Sequence, residues 1–445
     1  MLRIITLISL LSLVISCTKD VTSEDVKIDA NLKRMISNVS PTGNYEFYKV
    51  PHNTELDQIP QDIRNPLTPE KVELGKMLFF ETGLAMDARH SVGMGTYSCA
   101  SCHLPEAGFR PGAPQGVADG GMGYGFNGET RIKSNVYRED ELDSQNARPL
   151  SLINVAYVTN TFWNGQFGGK HANEHTEEVW DQLEETELNH LGYEGIETQN
   201  IEGVKVHRIT TNKELLDQYG YTNLYDEVFA DMEPELRYSD LATSLALSAY
   251  IRSITSYEAP FQEWLRGNSE ALTAQEKLGV EVFFGKARCT NCHYEKNLGS
   301  VEFHRLGVKD LYQRPSFNTF ADARRNFGRG GFTLDPEDNY KFKVPQLYNL
   351  ADAPFYFHGS SKHTLAEVVD YKIEAISENP NVPTEILSDK FGPLDLTEEE
   401  RDGLIAFLTN GLRDPDLLRY KPTAVLSGLC FPNNDEQSRI DLGCY

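Results

Sequence analysis

Apolar and polar positions fall into regular stretches separated by long irregular ones. Residues 4–15 form a mostly apolar run after the short basic start Met1-Leu2-Arg3. From Thr18 to about Pro60 polar residues dominate and no period emerges, so the stretch reads as a tether. The first clear period begins at Pro69, where Leu74, Met77, Leu78 and Phe79 recur at helical spacing. Thr68 is placed to cap that helix, with Pro69 at its first position. The spacing predicts a helix over 69–80, and similar patterns predict helices over 174–188, 213–219, 239–256 and 397–412. The last opens on Thr397 with Glu400 three residues on, the signature of a capping box. Residues 105–128 are rich in Gly and Pro and must be loop. β-Propensity is low throughout, so the fold class is mostly α.

One pattern occurs twice. The stretch from Leu67 to Phe80, with Leu-Gly at 74–75, is matched from Leu272 to Phe284, with Leu-Gly at 278–279. Each copy leads into a Cys-x-x-Cys-His: Cys99-Ala-Ser-Cys102-His103 and Cys289-Thr-Asn-Cys292-His293. This is the attachment signature of a c-type haem. Residues three apart on a helical turn share a face, so both thiols reach the two vinyl groups of one porphyrin. The histidine that follows is placed to ligate the iron. A zinc site would need the two Cys-x-x-Cys pairs to close one tetrahedron, but they lie far apart and each brings its own histidine. A chain of 445 residues is also too long for one core. The expected organisation is therefore two related cytochrome c-like haem domains with long loops, over 61–265 and 266–425, followed by a tail over 426–445.

The remaining cysteines and the charge refine this picture. Residues 1–16 read as a secretory signal. The ending Leu13-Val14-Ile15-Ser16-Cys17 resembles a bacterial lipobox, with Cys17 as lipid anchor and 17–60 as the tether. The apolar run is short for a membrane span. The chain is thus expected to be exported, as a periplasmic or outer-membrane lipoprotein held to the membrane by its lipid alone. Cys430 and Cys444 fit a disulfide in an oxidising compartment, with two free thiols as the alternative. The formal charge of −24 argues against nucleic acid and suits a basic electron-donor protein.

Taken with Phe162-Trp163-Asn164-Gly165, Phe283-Phe-Gly-Lys-Ala-Arg-Cys289, Phe342-Lys-Val-Pro-Gln-Leu-Tyr-Asn349 and Tyr356-Phe357-His358, these motifs resemble the bacterial di-haem cytochrome c peroxidases. The family includes the di-haem enzyme that matures methylamine dehydrogenase. The resemblance runs from about Leu67 to Arg413. It implies two covalent haems, an electron-accepting second haem, and a first haem that splits hydrogen peroxide. The electron donor would be a small exported cytochrome or copper protein. Trp163 takes the position of the family's inter-haem relay.

The departures from the family pattern carry information of their own. Where the family has a displaceable distal His after the first motif, this chain has Asp119, and no His occurs between His103 and His171. An open first iron, active without prior reduction, is expected. The family's distal Gln and Glu find their best continuation in Gln199 and then His207 or Arg208, with Glu187 as the rival acid. His can shuttle a peroxide proton, and Arg can stabilise a departing hydroxide. The sixth ligand of the second haem is Met or Tyr in the family. Here the position falls on Lys372, beside Tyr371, and no Met occurs after Met232. The family's calcium site has Asn where this chain has Arg148, with Asn146 nearby, which leaves calcium open. A high-valent oxidase acting on a protein or organic substrate is the second reading, and a pure electron-transfer cytochrome the third.

Overall fold

The structure, a computed structural model, describes residues 23–444 apart from residue 184. The expected signal and the expected anchor Cys17 lie outside the described residues. Among those residues helices and helical turns dominate. The strands are two short ribbons, Gly121–Met122 against Ile132–Lys133 and Phe303–His304 against Phe342–Lys343. The mostly α expectation holds. No described helix is long and apolar enough to cross a membrane.

Seven helices position the rest: α1 (Ser23–Val39), α2 (Pro69–Phe80), α3 (Gly195–Val206), α4 (Asp240–Arg252), α5 (Ala274–Phe284), α6 (Leu365–Glu374) and α7 (Glu398–Ala406). The Thr68 hydroxyl accepts from the Lys71 amide at 3.2 Å, and Thr397 and Glu400 form the expected box at 2.8 and 3.2 Å. α2 packs on α4, and α5 on α7. A glycine permits each approach. A Cβ on Gly75 would fall on the carbonyl oxygen of Ala246, and one on Gly279 on that of Gly403. These glycines hold the same position in the two similar stretches.

A single buried cluster includes Phe79, Phe80, Tyr250, Phe261, Trp264, Phe283, Phe284 and Phe407. Phe261 lies 5.9 Å from Phe284 and meets Phe407 edge-on at 5.3 Å. Each such ring contributes roughly 1.5–3 kcal/mol by leaving water. The cluster continues across the expected boundary at 265/266.

Two expectations need correction, and the expected C-terminal tail with its disulfide gains detail. Residues 23–60 are part of the folded body rather than a tether. Leu32 and Ile36 of α1 enter the main cluster, and Asp29 accepts from Trp264 Nε1 at 2.9 Å and pairs with Lys277 at 2.7 Å. Leu32, Met35, Ile36 and Val39 recur at helical spacing, but the surrounding residues are so polar on average that composition masks the period. The helix expected over 174–188 is only the turn Glu177–Trp180. Around it, Thr186 Oγ1 donates to the Trp180 carbonyl at 2.9 Å and Asn189 Nδ2 to that of Gln166 at 2.8 Å, so side chains take backbone partners a helix would use. The C-terminal residues are no loose tail. Thr82 Oγ1 donates to the Cys430 carbonyl at 3.0 Å, Ser98 Oγ to that of Pro432 at 2.9 Å, and the Asn434 amide to that of Thr96 at 2.9 Å. A Cys430–Cys444 disulfide closes this strap over the segment that leads into the first motif.

Candidate functional site

Cys99–Ser101 form a tight helical turn, and the His103 amide bonds back to the Cys99 carbonyl at 3.2 Å. Cys99, Cys102 and His103 line a cavity of about 440 Å³. His103 Nδ1 donates to the Phe109 carbonyl at 3.1 Å, and in the second motif His293 Nδ1 donates to the Leu298 carbonyl at 2.7 Å. A backbone acceptor at Nδ1 fixes the tautomer and leaves Nε2 for a metal. Burial pulls both imidazoles down to about 4, so both are neutral at physiological pH. None of the four motif thiols is in a disulfide.

The cavity wall is apolar along Phe79, Leu152, Val155, Val204, Leu247 and Ile251. Its buried side carries cations without bonded carboxylates. Arg110 donates to the Asn349 carbonyl at 2.9 Å, and Arg148 to those of Ala113 and Pro111 at 2.8 and 3.1 Å. Lys343 rests its ammonium 4.6 Å from the Phe303 ring centre. Burial pulls Arg110 down to about 10 and Arg148 to about 9, and burial beside Arg329 takes Lys343 to about 7. Buried cations of this kind need counter-charge. The propionates of a haem would provide it, so the residues present fit the group the motif implies.

The other wall comes from α3 and two loops. Gln199, Gly203 and His207 recur at a spacing of four along α3 and its end, so one helix face presents all three. His207 Nδ1 meets Asp143 Oδ2 at 2.8 Å, and Arg325 pairs with Glu185 at 3.3 Å. All four of these residues line the cavity. Trp163 lines it too. Its Nε1 donates to the Arg148 carbonyl at 2.6 Å, and its own carbonyl accepts from the Lys343 amide at 2.7 Å. Its ring lies 6.1 Å from His358, which stacks on Phe342 at 3.6 Å and bonds Asp310 at 2.9 Å.

The structure therefore gathers Cys99, Cys102, His103, Trp163, Gln199 and His207 around one cavity. Two sequence expectations are not gathered there. Arg208 is turned away, ion-paired with buried Asp119 and bonded to the Glu141 carbonyl at 3.0 Å. Its left-handed backbone, φ 55°, sends the side chain off the α3 face. Glu187 is exposed in a helical turn outside the cavity. Asp143, Glu185, Arg325 and Arg110 were not foreseen. Each is defined by a partner or wall remote in sequence, and no local signal marks them.

Around the second motif, Phe357 links the two sites. It lines the first cavity and stands 5.8 Å from the Tyr371 ring, with the Lys372 ammonium 5.6 Å from its own ring centre. Tyr371 donates its hydroxyl to the Leu306 carbonyl. The Lys372 amine instead lies within electrostatic range of Cys289, Cys292 and His293, and burial pulls it down to about 8. Among the described residues one group could hold a bare metal ion, Cys292 with Glu302 and His304, and its thiol is the one the haem motif uses.

The family model for di-haem cytochrome c peroxidase matches residues 69–270. The methylamine utilization protein MauG of Methylorubrum extorquens is 28% identical over 371 residues, which cover 83% of this chain and 84% of that protein. Cytochrome-c peroxidase IdrP1 of Denitromonas iodatirespirans is 26% identical over 380 residues, covering 81% and 86%. Among solved structures, a MauG-like protein associated with microbial copper homeostasis shares the fold, with a TM-score of 0.58 at 23% identity over 83% of this chain and 95% of that one. The cavity, its haem-attachment motif and these likenesses agree: over residues 69–270 the chain is similar to the di-haem cytochrome c peroxidase family.

Proposed function

We propose that the protein is a di-haem peroxidase that reduces hydrogen peroxide to water, drawing electrons from a small exported cytochrome or copper protein. One observation carries the reading. A single cavity joins a haem-attachment motif to a polar wall with proton-exchanging side chains, and Trp163 stands in the same wall. When bound, the haems supply the one-electron steps and the iron that takes up peroxide. Cys99 and Cys102 would hold the first through thioethers, with His103 Nε2 as its protein ligand and Arg110 and Arg148 against its propionates. Cys289, Cys292 and His293 would do the same for the second. Trp163 relays electrons between the two, supported by its bonds to residues 148 and 343.

The two-domain repeat belongs to this reading, supported by the matched stretches and by the glycine crossings at 75 and 279. So does export, supported by the haem motifs and the strap disulfide. Lys372 rather than Tyr371 would join His293 in holding the second haem, since Tyr371 spends its hydroxyl on a backbone carbonyl. Calcium is not included, because at position 148 a guanidinium already brings positive charge to the surrounding carbonyls. A second reading, oxidation of a protein or organic substrate, draws on the same residue. An amine ligand in place of methionine lowers the potential of the second haem and makes it a poorer acceptor.

The test begins with intact mass and haem staining of the denatured chain, where two covalent haems are expected. Peroxide consumption with a reduced small cytochrome then separates the readings. One haem or none would overturn the proposal. Two haems without turnover on that donor would favour the oxidase reading.

A further inference from the structure

We propose that Asp143 is the positioning residue for His207, and that the two form the proton shuttle of the peroxide cavity. The proposal rests on the peroxidase reading above. It assigns the task to a carboxylate–imidazole couple built from a loop and the end of α3, where a glutamine and a glutamate would be looked for. His207 Nδ1 and Asp143 Oδ2 are 2.8 Å apart, and both residues line the cavity that holds the first motif. A carboxylate only accepts, so Nδ1 carries a proton and donates it, leaving Nε2 as the exchanging nitrogen. The Asp143 side chain is 11% exposed and that of His207 41%, so the couple is anchored inside while the ring keeps a path to solvent. Apart from His103, no other histidine lines the cavity.

The charged groups that face His207 are Asp143, Arg208, Arg325 and His103. Asp143 dominates and raises the imidazole above its ordinary value, against burial and the two arginines. Arg325, held by Glu185, brings positive charge to the same wall, where a departing oxygen needs it. In the step, Nε2 takes the proton of the peroxide's inner oxygen and returns it to the outer one. The O–O bond breaks with its electron pair leaving on the outer oxygen, as water. The bound haems would supply two electrons, restored one at a time by the external donor, and with two solvent protons these balance conversion of the inner oxygen to the second water.

The test uses full-length holoprotein, with haem content and spin state checked by electron paramagnetic resonance in every variant. His207→Ala should lower kcat/KM for peroxide by about 10²–10⁴-fold, the usual reach of a general acid–base group. Asp143→Asn keeps the ring and its acceptor but removes the charge that raises it. The rising limb of kcat/KM against pH, which follows loss of the imidazolium proton, should therefore move to lower pH. Cyanide binding to the ferric first haem gives a readout without turnover. Hydrogen cyanide must shed a proton to bind, so its association rate should fall in His207→Ala and its pH profile should move down in Asp143→Asn. Unmoved profiles in Asp143→Asn would overturn the proposal. So would a His207→Ala rate within threefold of wild type, or a wild-type low-spin first haem that turns high-spin in His207→Ala, which would make His207 a ligand. Absent peroxide turnover with a responsive cyanide profile would uphold the couple and sink the peroxidase reading instead.

Discussion

Glu197 and Arg252 hold the wall that carries His207, and removing Glu197 should be costly. Arg252 donates Nε and Nη2 to the two oxygens of Glu197 at 2.8 and 2.6 Å, with side chains 3% and 0% exposed. The pair ties α3 to α4, and Glu197, two residues from Gln199, points away from the cavity face. In Glu197→Ala the guanidinium keeps only the Pro60 carbonyl at 3.1 Å as a protein acceptor. A buried charge stripped of its partner costs about 3–5 kcal/mol, while the better helix propensity of alanine returns only a few tenths. Against a total stability of about 5–15 kcal/mol that is a large loss. Glu197→Gln keeps an acceptor of the same shape and should lose about 1.5–3 kcal/mol. Urea unfolding followed by far-ultraviolet circular dichroism measures both, as a lower midpoint at unchanged slope. Converting the pair to Glu197→Leu with Arg252→Met should recover much of the loss, because neither charge then needs desolvating. A loss below about 1 kcal/mol in Glu197→Ala would refute the reasoning, since it would mean that water reaches Arg252 in the folded state.

Two further outcomes follow from the packing. Lys372→Ala should convert the low-spin ferric signal of the second haem to high-spin, Tyr371→Phe should leave it unchanged, and Lys372→Met should create the weak red charge-transfer band that wild type lacks; a Tyr371→Phe change alone would move the ligand to Tyr371. Gly75→Ala should lower the unfolding free energy measured by urea titration by about 1–3 kcal/mol, because its Cβ meets the Ala246 carbonyl and Tyr250 Cβ; a gain of about 1 kcal/mol, the propensity term alone, would show that the crossing relaxes freely.

What the sequence disclosed is what local spacing can encode. The helix over 69–80 with its Thr68 cap, the capping box at Thr397 and both attachment motifs depend on neighbours within one or two turns. The docking of α1 through Asp29, the strap over the first motif, and the pairs Asp143–His207 and Glu185–Arg325 depend on residues brought together by the whole chain, and no window of sequence contains both members. A subtler limit concerns register. Reading the motifs left two adjacent candidates at each site, His207 or Arg208 and Tyr371 or Lys372. Adjacent helical residues diverge by about 100°, so only one of each pair can face a given wall. His207 is the last residue on the α3 face, and the left-handed turn at Arg208 sends the guanidinium to Asp119 instead. On α6, Tyr371 meets the Leu306 carbonyl, and that rotation leaves Lys372 to face the second motif's thiols. In both cases a backbone carbonyl or buried carboxylate elsewhere in the fold claims one neighbour, and this decides which side chain is left facing the attachment motif.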